Sequence, residues 1–515
     1  MYASVSAAAI CGIYAKKVLV EADVSDGLPL FTMVGYLSSE VREAADRVRT
    51  ALKNCGFHFP PKRITVSLSP ADLRKEGSGF DLPIAIAILI AMGYIPQDNA
   101  DGILFAGELG LGGDLEGIHG ILEIAAKASL FGAHTIIVPC ANLAEGSVIR
   151  SVQVLGASGL QEVVEFLTGR LSLHTLEVDP EEIRKKQESE KQPDFSDLRG
   201  QASLRRAAEI AVCGMHNLLI IGPPGSGKTM TARRIASILP QMSLEESLEV
   251  SRIHSIAGIL PEDQPLMMIR PFRSPHHTIT SAALAGGGVH PRPGEVSLSH
   301  RGVLHLDEFP EFAPGVLEIL RQPLEDGKVF LSRSSGSFVY PADFMLVASM
   351  NPCKCGYYPD RRRCRCSERD VRRYLGRISQ PLLDRIDICA DAECVSYEEL
   401  SHKAASESSA SIRSRIERAQ KRQQDRYALT QFRFNSDLTG DAVAKYCYLG
   451  EHEEQLMKLA FEKMNLTGRS YSRILKVARS IADLDGEDTI LEHHLQEALR
   501  FRTPDRKYWG GEYGA

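Results

Sequence analysis

The octapeptide Gly222-Pro223-Pro224-Gly225-Ser226-Gly227-Lys228-Thr229 has the composition and spacing of a loop that cradles phosphates. Its glycines let backbone N–H groups approach an anion closely, and a helix opening behind it adds the partial positive charge of its N-terminus. In that setting Lys228 reaches the β- and γ-phosphates of ATP and Thr229 offers its hydroxyl to Mg²⁺. The flanks suit the motif: the apolar run Leu218-Leu219-Ile220-Ile221 precedes it as a strand, and Met230 to Ala236 opens a helix. A second apolar strand, Gly302 to Leu306, ends in Asp307 and Glu308. Asp307 is expected to hold Mg²⁺, directly or through water, and Glu308 to polarise the attacking water, which makes the reaction hydrolysis. A third strand, Phe344 to Met350, ends at Asn351, whose side chain can hold the same water near the γ-phosphate. His305, among apolar neighbours, reads as a satisfied core histidine and receives no role.

Four of the cysteines are clustered: Cys353 and Cys355, then, after eight residues, Cys364 and Cys366. Four thiolates so close in sequence can close a tetrahedral, structural Zn²⁺ site, although CxC is less usual than CxxC. Disulfides are the alternative, and a reducing compartment disfavours them. Between the pairs stand Tyr357, Tyr358, Arg361, Arg362 and Arg363; Arg365, Arg369, Arg372, Arg373 and Arg377 follow. Arginines interleaved with tyrosines suit a phosphate backbone and base stacking, but a solvated loop or a subunit contact has the same composition. Ser274-Pro275-His276-His277 lies in a loop-rich stretch before Gly286-Gly287-Gly288. With no companion at ligand spacing, it reads as a structural or pore-facing loop. Arg413, Arg415, Arg418, Lys421, Arg422 and Arg426 on a helix over Ile412–Arg426 read as a solvated face.

Elements of regular period must hold these residues in place. At 515 residues the chain is long enough for two to four domains. Residues 1–168 alternate strand-like runs (Lys17–Ala22, Arg63–Leu68, Thr135–Pro139) with helical patterns (Ser39–Cys55, Leu82–Met92, Gly120–Phe131), as in an α+β or α/β domain. Residues 169–193 are polar and charged, a solvated linker with partial helix. Residues 194–395 alternate strands and helices around the phosphate loop as in a wrapped parallel sheet, with the cysteine insertion at 353–366. Residues 396–515 are helix-periodic nearly throughout. The net charge of −6 excludes a wholly basic coat protein, yet a local basic stripe is enough for nucleic acid. The longest apolar run, Leu82 to Tyr94, is interrupted by Pro83 and too short to span a bilayer, so no membrane partner is expected. The N-terminus reads as a strand and not as a signal peptide, and with eleven cysteines this points to the cytoplasm.

Several stretches together resemble the AAA+ ATPases of the magnesium-chelatase-like branch, specifically the ComM/YifB family. They are Asp194–Gln201, His216–Thr229, Pro271–Gly288, Pro293–Phe312, Met350–Asp360, Pro381–Asp387 and Gly468–Leu484. The resemblance covers nearly the whole chain and implies an AAA+ P-loop α/β core with a C-terminal helical lid. It implies that Asn351 is sensor 1, that Arg385 is an arginine finger acting on a neighbour's γ-phosphate, and that Arg469 is sensor 2, with Arg473 the alternative one turn later. A finger acting in trans implies a ring, and the family expectation is a hexamer. The function implied is a DNA helicase or translocase for branch migration in natural transformation and homologous recombination. The expected cofactors are ATP, Mg²⁺ and structural Zn²⁺, and the expected partner is single-stranded or branched DNA.

Residues 1–168 are similar to the Lon-protease-like, ribosomal-S5-like α+β domain, through Leu28–Tyr36, Phe59–Leu89 and Ala106–Ala128. An active Lon-type protease needs a nucleophilic serine with a lysine as base. The corresponding stretches read Gly79-Phe80-Asp81-Leu82-Pro83 and Gly120-Ile121-Leu122-Glu123, with Ser78 and Lys127 off register, so no peptidase is expected. Lys62, Arg63, Arg74 and Lys75 are candidate phosphate contacts or ordinary surface charge. Two other functions remain open: the motor subunit of a magnesium chelatase, and a protein-remodelling ATPase working with a partner.

Overall fold

The computed structural model describes residues 1–189, 193–261, 263–288, 291–333, 336–393, 407–464 and 466–509. The N-terminal strands Tyr2–Cys11 and Tyr14–Ser25 pair antiparallel, and Gly12 turns the chain at φ +63°. They are the centre of a seven-stranded sheet that also contains Leu30–Val34, Arg63–Ser69, Ile103–Phe105, Thr135–Pro139 and Gln153–Ala157. Its two faces bury two cores. Phe105 and Ile137 point into one and their neighbours Leu104 and Ile136 into the other, as a two-residue period requires. Helix Asp81–Ala91 is buried along its whole length, which explains its run of Ile, Leu and Ala. Buried Asp81 there is held by Arg47 at 2.7 Å, because an unpaired carboxylate at such a position would be costly. Helices Ser39–Asn54 and Asp81–Ala91 stop within one residue of expectation, the expected helix Gly120–Phe131 is α-helical only over Ile121–Ala128 before a 3-10 turn, and the expected strand Lys17–Ala22 extends to Tyr14–Ser25.

The charged stretch after this domain is less solvated than its composition suggests. Pro180–Ser189 is a helix, and its buried Gln187 donates to Leu266 O (2.7 Å) and accepts from Met268 N (2.9 Å). The side-chain amide satisfies backbone groups of a loop and so docks the helix on the next domain.

The second sheet is parallel, in the order Phe272–Arg273, Val303–Leu306, Met345–Met350, Leu218–Ile221, Ile388–Asp391. Its central strands are buried on both faces, so they read as unbroken apolar runs. Helix Leu244–Ala257 joins it to the N-terminal domain: Arg252 pairs with Glu123 at 3.4 Å and Ser255 donates to Glu145.

The C-terminal helices Ser409–Tyr427 and Gly468–Asp485 pack on helix Ala202–Gly214 and share one hydrophobic core with the sheet. The expected boundary at 395–396 lies outside the described residues. The basic residues of Ser409–Tyr427 are mostly not a solvated face. Arg413 donates to Ser237 O (3.1 Å), Arg415 to Glu209 (2.6 Å), Arg422 to Asp488 (2.9 Å) and Arg426 to Asp483 (3.0 Å). Arg418 and Lys421 are exposed. The arginines fasten the helical block to the core, a use that charge patterning along one helix cannot reveal.

Candidate active site

The phosphate loop leaves the C-terminal end of Leu218–Ile221, and Asn351 leaves the same end of the neighbouring strand. Ile221 pairs with Met350, and Gly222 N donates to Met350 O at 3.2 Å. The register therefore brings Lys228 and Asn351 together. The Lys228 ammonium donates to Asn351 Oδ1 (3.1 Å), Gly222 O (2.9 Å) and Pro223 O (2.8 Å). Gly225 and Gly227 sit at φ +78° and +82°, a left-handed conformation that lets the loop turn tightly in front of the helix that follows it. A buried cation inside a ring of backbone dipoles fits the phosphates of a nucleotide.

Thr229 Oγ1 donates to Asp307 Oδ2 at 2.7 Å, so the two oxygens expected to hold Mg²⁺ are adjacent. Asp307 is oriented from behind. Ser349 Oγ donates to Asp307 Oδ1 (2.6 Å), His305 Nε2 contacts Ser349 Oγ (3.1 Å), and Ser274 Oγ contacts His305 Nδ1 (3.0 Å). Because the Ser349 proton goes to the carboxylate, His305 must donate through Nε2–H and accept from Ser274, which assigns the tautomer. Burial lowers the His305 pKa to about 4, so the ring is neutral near pH 7 as this chain requires. Burial pushes the Asp307 carboxyl up, but the bonds from Ser349 and Thr229 outweigh it and hold it below the ordinary value. It is thus an anion ready for a cation. His305 is a satisfied core histidine, and what it satisfies is the support of Asp307.

Glu308 takes the left-handed conformation at φ +54° and its N–H bonds Asp307 Oδ1 at 3.0 Å. Its side chain is 59% exposed and meets His277 Nδ1 at 3.1 Å. The His276-His277 stretch, read as a structural or pore-facing loop without companions, therefore touches the residue expected to act as base. His277, Ser349 and His305 are contributions that spacing alone missed. The signal was available in part: a serine and a histidine inside otherwise apolar adjacent strands need each other as partners.

Arg385, Arg469 and Arg473 do not join this group. They line a separate cleft of about 1150 Å³. Arg385 O accepts from Asn217 Nδ2 at 2.8 Å, and Asn217 stands at the opposite end of the strand that carries the phosphate loop. The Arg385 guanidinium donates to Pro381 O (2.6 Å) and to Glu325. Arg469 lies 3.8 Å from Asp384 and is 68% exposed, whereas Arg473 is 11% exposed beside Asp387 at 3.5 Å. Of the two sensor 2 candidates, Arg469 is the one that projects outward.

Cys353, Cys355, Cys364 and Cys366 converge, with Sγ–Sγ distances of 3.3, 3.6 and 3.8 Å among the first three and all four within 4.8 Å. A tetrahedron of Zn–S bonds has edges of about 3.8 Å, so the donor set fits zinc. The spacings are too long for disulfide bonds. Burial pushes Cys355 up, but the N–H groups of Tyr357 and Arg365 and the adjacent thiols outweigh it and bring it to about 6. Burial lifts Cys364 to about 12. The loop presses on the phosphate loop: a Cβ on Gly356 would stand 2.4 Å from Pro224 Cδ. Arg363 stacks on Tyr357 at 4.0 Å and Arg361 on Tyr358 at 5.2 Å, so a stacking base would compete with the loop's own guanidinium groups. Arg361, Arg362 and Arg363 are exposed.

In the N-terminal domain Lys75 is fully buried and donates to Pro70 O, which corrects its listing among candidate phosphate contacts: an interior ammonium cannot reach a ligand. Lys62 pairs with Asp26 (3.0 Å) and Arg74 with Glu76 (2.9 Å), while Arg63 is exposed. Ser78 Oγ donates to Glu108, and Lys127 lies in helix Ile121–Ala128. No helix among the described residues is long and apolar enough to cross a membrane.

Comparison with known proteins follows this division. The family described as "Magnesium chelatase, subunit ChlI" matches residues 194–400, "Subunit ChlI of Mg-chelatase" residues 20–142, and "Magnesium chelatase, subunit ChlI C-terminal" residues 406–502. The chain is 41% identical to the YifB protein of Salmonella typhimurium over 97% of its own length and 96% of the relative's. It is 40% identical to the competence protein ComM of Haemophilus influenzae over 95% of each chain. Similarity to the magnesium-chelatase 38 kDa subunit of Rhodobacter capsulatus is 24%, over 31% of this chain and 50% of that subunit.

Proposed function

The chain belongs to the ComM/YifB magnesium-chelatase-like family of AAA+ ATPases, and on that premise we propose that it is a ring-forming ATP hydrolase that moves DNA. Its work is branch migration of recombination intermediates during natural transformation. The observation that carries the shared site is the division along the sheet. Lys228, Thr229, Asp307, Glu308 and Asn351 gather at one end of the strands, and Arg385 with Arg469 at the other. Four strand residues separate Asn217 from Gly222, a path of about 17 Å at strand rise, too far for one copy's Arg385 to serve its own nucleotide. The arginines therefore complete the site of a neighbouring copy, and a closed ring, a hexamer by family precedent, gives every site a donor.

In this reading Lys228 and the N–H groups of the loop bind the β- and γ-phosphates, and Thr229 and Asp307 would hold Mg²⁺, which when bound would neutralise charge on the transferred phosphoryl group. Glu308 takes a proton from the attacking water while Asn351 orients it. The neighbour's Arg385 and Arg469 offset the developing charge. The four cysteines hold zinc as a structural clasp beside the phosphate loop.

The DNA cargo rests on the ComM relative, a competence protein by name, and on the exposed Arg361, Arg362 and Arg363. A chelatase motor is the second reading, drawn from the shared core. The full-length match to ComM, against the partial match to the chelatase subunit, favours the first. A protein-remodelling ATPase is the third. ATP turnover and strand displacement by wild type and Glu308→Gln on duplex, forked and four-way DNA separate these. DNA is expected to raise wild-type turnover, and Glu308→Gln to abolish it. If no DNA raises turnover and no branched substrate moves, the cargo is not DNA.

A further inference from the structure

Asn217 immediately precedes strand Leu218–Ile221 and grips the segments on both sides of it. Its Oδ1 accepts from Leu346 N at 2.8 Å and its Nδ2 donates to Arg385 O at 2.8 Å, while its backbone O accepts from Asp387 N and Ile388 N at 3.1 Å each. An amide side chain suits this place because it carries an acceptor and a donor side by side, one for each flanking strand. The Arg385 carbonyl needs such a partner. It lies just past the short helix Gln380–Leu383, where the last carbonyls of a turn find none within the turn. The next carbonyl, Ile386 O, is likewise met from a distance, by Arg502 Nη1 at 2.8 Å. Asp387 meets His216 Nδ1 at 3.3 Å and Arg473 at 3.5 Å, so helix Gly468–Asp485, which carries Arg469, is fastened to the same turn. The Arg385 guanidinium is held less well than its backbone. Its contacts are Pro381 O, four residues back, and the side chain of Glu325, itself 63% exposed; its buried Nε has no partner among the described residues. Where that guanidinium points is therefore set chiefly by where its backbone is anchored.

We propose that Asn217 is a positioning residue for Arg385. By fixing the Arg385 backbone to the strand that leads to the phosphate loop, it sets how the guanidinium is presented to the neighbouring copy. The proposal rests on the reading of Arg385 as a finger acting in trans. Without the amide donor the carbonyl is left unpaired and the turn is free to shift, and a displacement of about 1 Å in a group that offsets charge costs up to about a hundredfold in rate.

The test is ATP hydrolysis by Asn217→Asp, alone and mixed in equal amounts with Lys228→Ala or with Arg385→Ala. Aspartate has the shape of asparagine and keeps an acceptor for Leu346 N, but it has no donor for Arg385 O. Alone, the variant is expected to lower kcat about tenfold or more and to leave KM unchanged, since its phosphate loop is intact. Lys228→Ala supplies a correctly held Arg385 at about one interface in four, so that mixture should turn over about fivefold faster than its Asn217→Asp share alone. The mixture with Arg385→Ala should show no gain, because neither copy donates a well-placed arginine. A merely structural defect that spreads along the strand into the phosphate loop gives the reverse pattern. Asn217→Ala removes both side-chain bonds without adding charge and should repeat the result, so poor folding of one variant leaves the other as the readout. Wild-type kcat in both variants, a gain with Arg385→Ala, or a gain with neither partner overturns the positioning role and leaves the trans finger standing. Failure of Lys228→Ala and Arg385→Ala to complement each other, in rings shown to be mixed, overturns the trans finger itself and the positioning role with it.

Discussion

Mixing two inactive variants tests the shared site most directly. Lys228→Ala loses the ammonium that sits within 3.1 Å of Gly222 O, Pro223 O and Asn351, but keeps Arg385. Arg385→Ala loses the guanidinium at the other end of the strand, but keeps an intact phosphate loop. Alone, each is expected to fall by about three orders of magnitude, the scale on which arginine fingers act. In a mixed ring, an Arg385→Ala copy that receives the arginine of a Lys228→Ala neighbour has a complete site. With equal amounts and random exchange, about one interface in four is of this kind, so the mixture should recover about a quarter of wild-type turnover. The assay is ATP hydrolysis after co-incubation at fixed total protein, with the ratio varied. Recovery should peak at equal proportions, because the fraction of complete interfaces is the product of the two mole fractions. Arg385 is tied to Glu325 and Pro381 O, so the variant removes contacts within the cleft as well, and a melt of each variant checks that it folds. Turnover no greater than the sum of the two variants alone, in a mixture shown to form mixed rings, would refute the trans assignment.

Acid should destabilise the fold through its buried histidines. Burial lowers His254 and His305 to about 4 each, against about 6.5 unfolded, so the unfolded chain binds more protons between those values. Stability contributed by each is complete above pH 6.5 and is lost as pH falls toward 4, by roughly 3 kcal/mol per histidine at most. The fall in Tm over that window should be shallower for His305→Asn, and an unchanged slope would exclude His305 as a source. Metal analysis should find about one zinc per chain in wild type and none in a Cys355→Ser, Cys364→Ser double variant. Because Gly356 presses on Pro224, that variant should also bind ATP about tenfold more weakly; full affinity without metal would separate the clasp from the phosphate loop. Changing Arg361, Arg362 and Arg363 together to Ala should weaken DNA binding and reduce its salt slope by up to about three, whereas an unchanged affinity and slope would place these arginines outside the DNA path.

Contiguous or strand-ending chemistry was legible in the sequence. The phosphate loop is one octapeptide, and Asp307 and Asn351 each end an apolar run, so spacing alone pointed to them before any register was known. The four cysteines were equally visible, since fourteen residues of chain keep them within reach of one another. Contacts between distant segments were not legible. His277 reaches Glu308 across thirty-one positions, Ser349 reaches Asp307 across forty-two, and both depend on how neighbouring strands align. The arginines of Ser409–Tyr427 looked solvated because helix periodicity reports an apolar stripe but not which carbonyls and carboxylates lie opposite the polar one. Lys75 looked available for the same reason, although the fold closes over it. The sequence by itself determined which groups are available for chemistry, because their identity and local spacing are covalent facts. Only the tertiary structure decided which of them meet, because parallel strands send their two ends to opposite edges of one sheet. That places Lys228 and Arg385 apart in each copy, and it is why the proposed site draws on two.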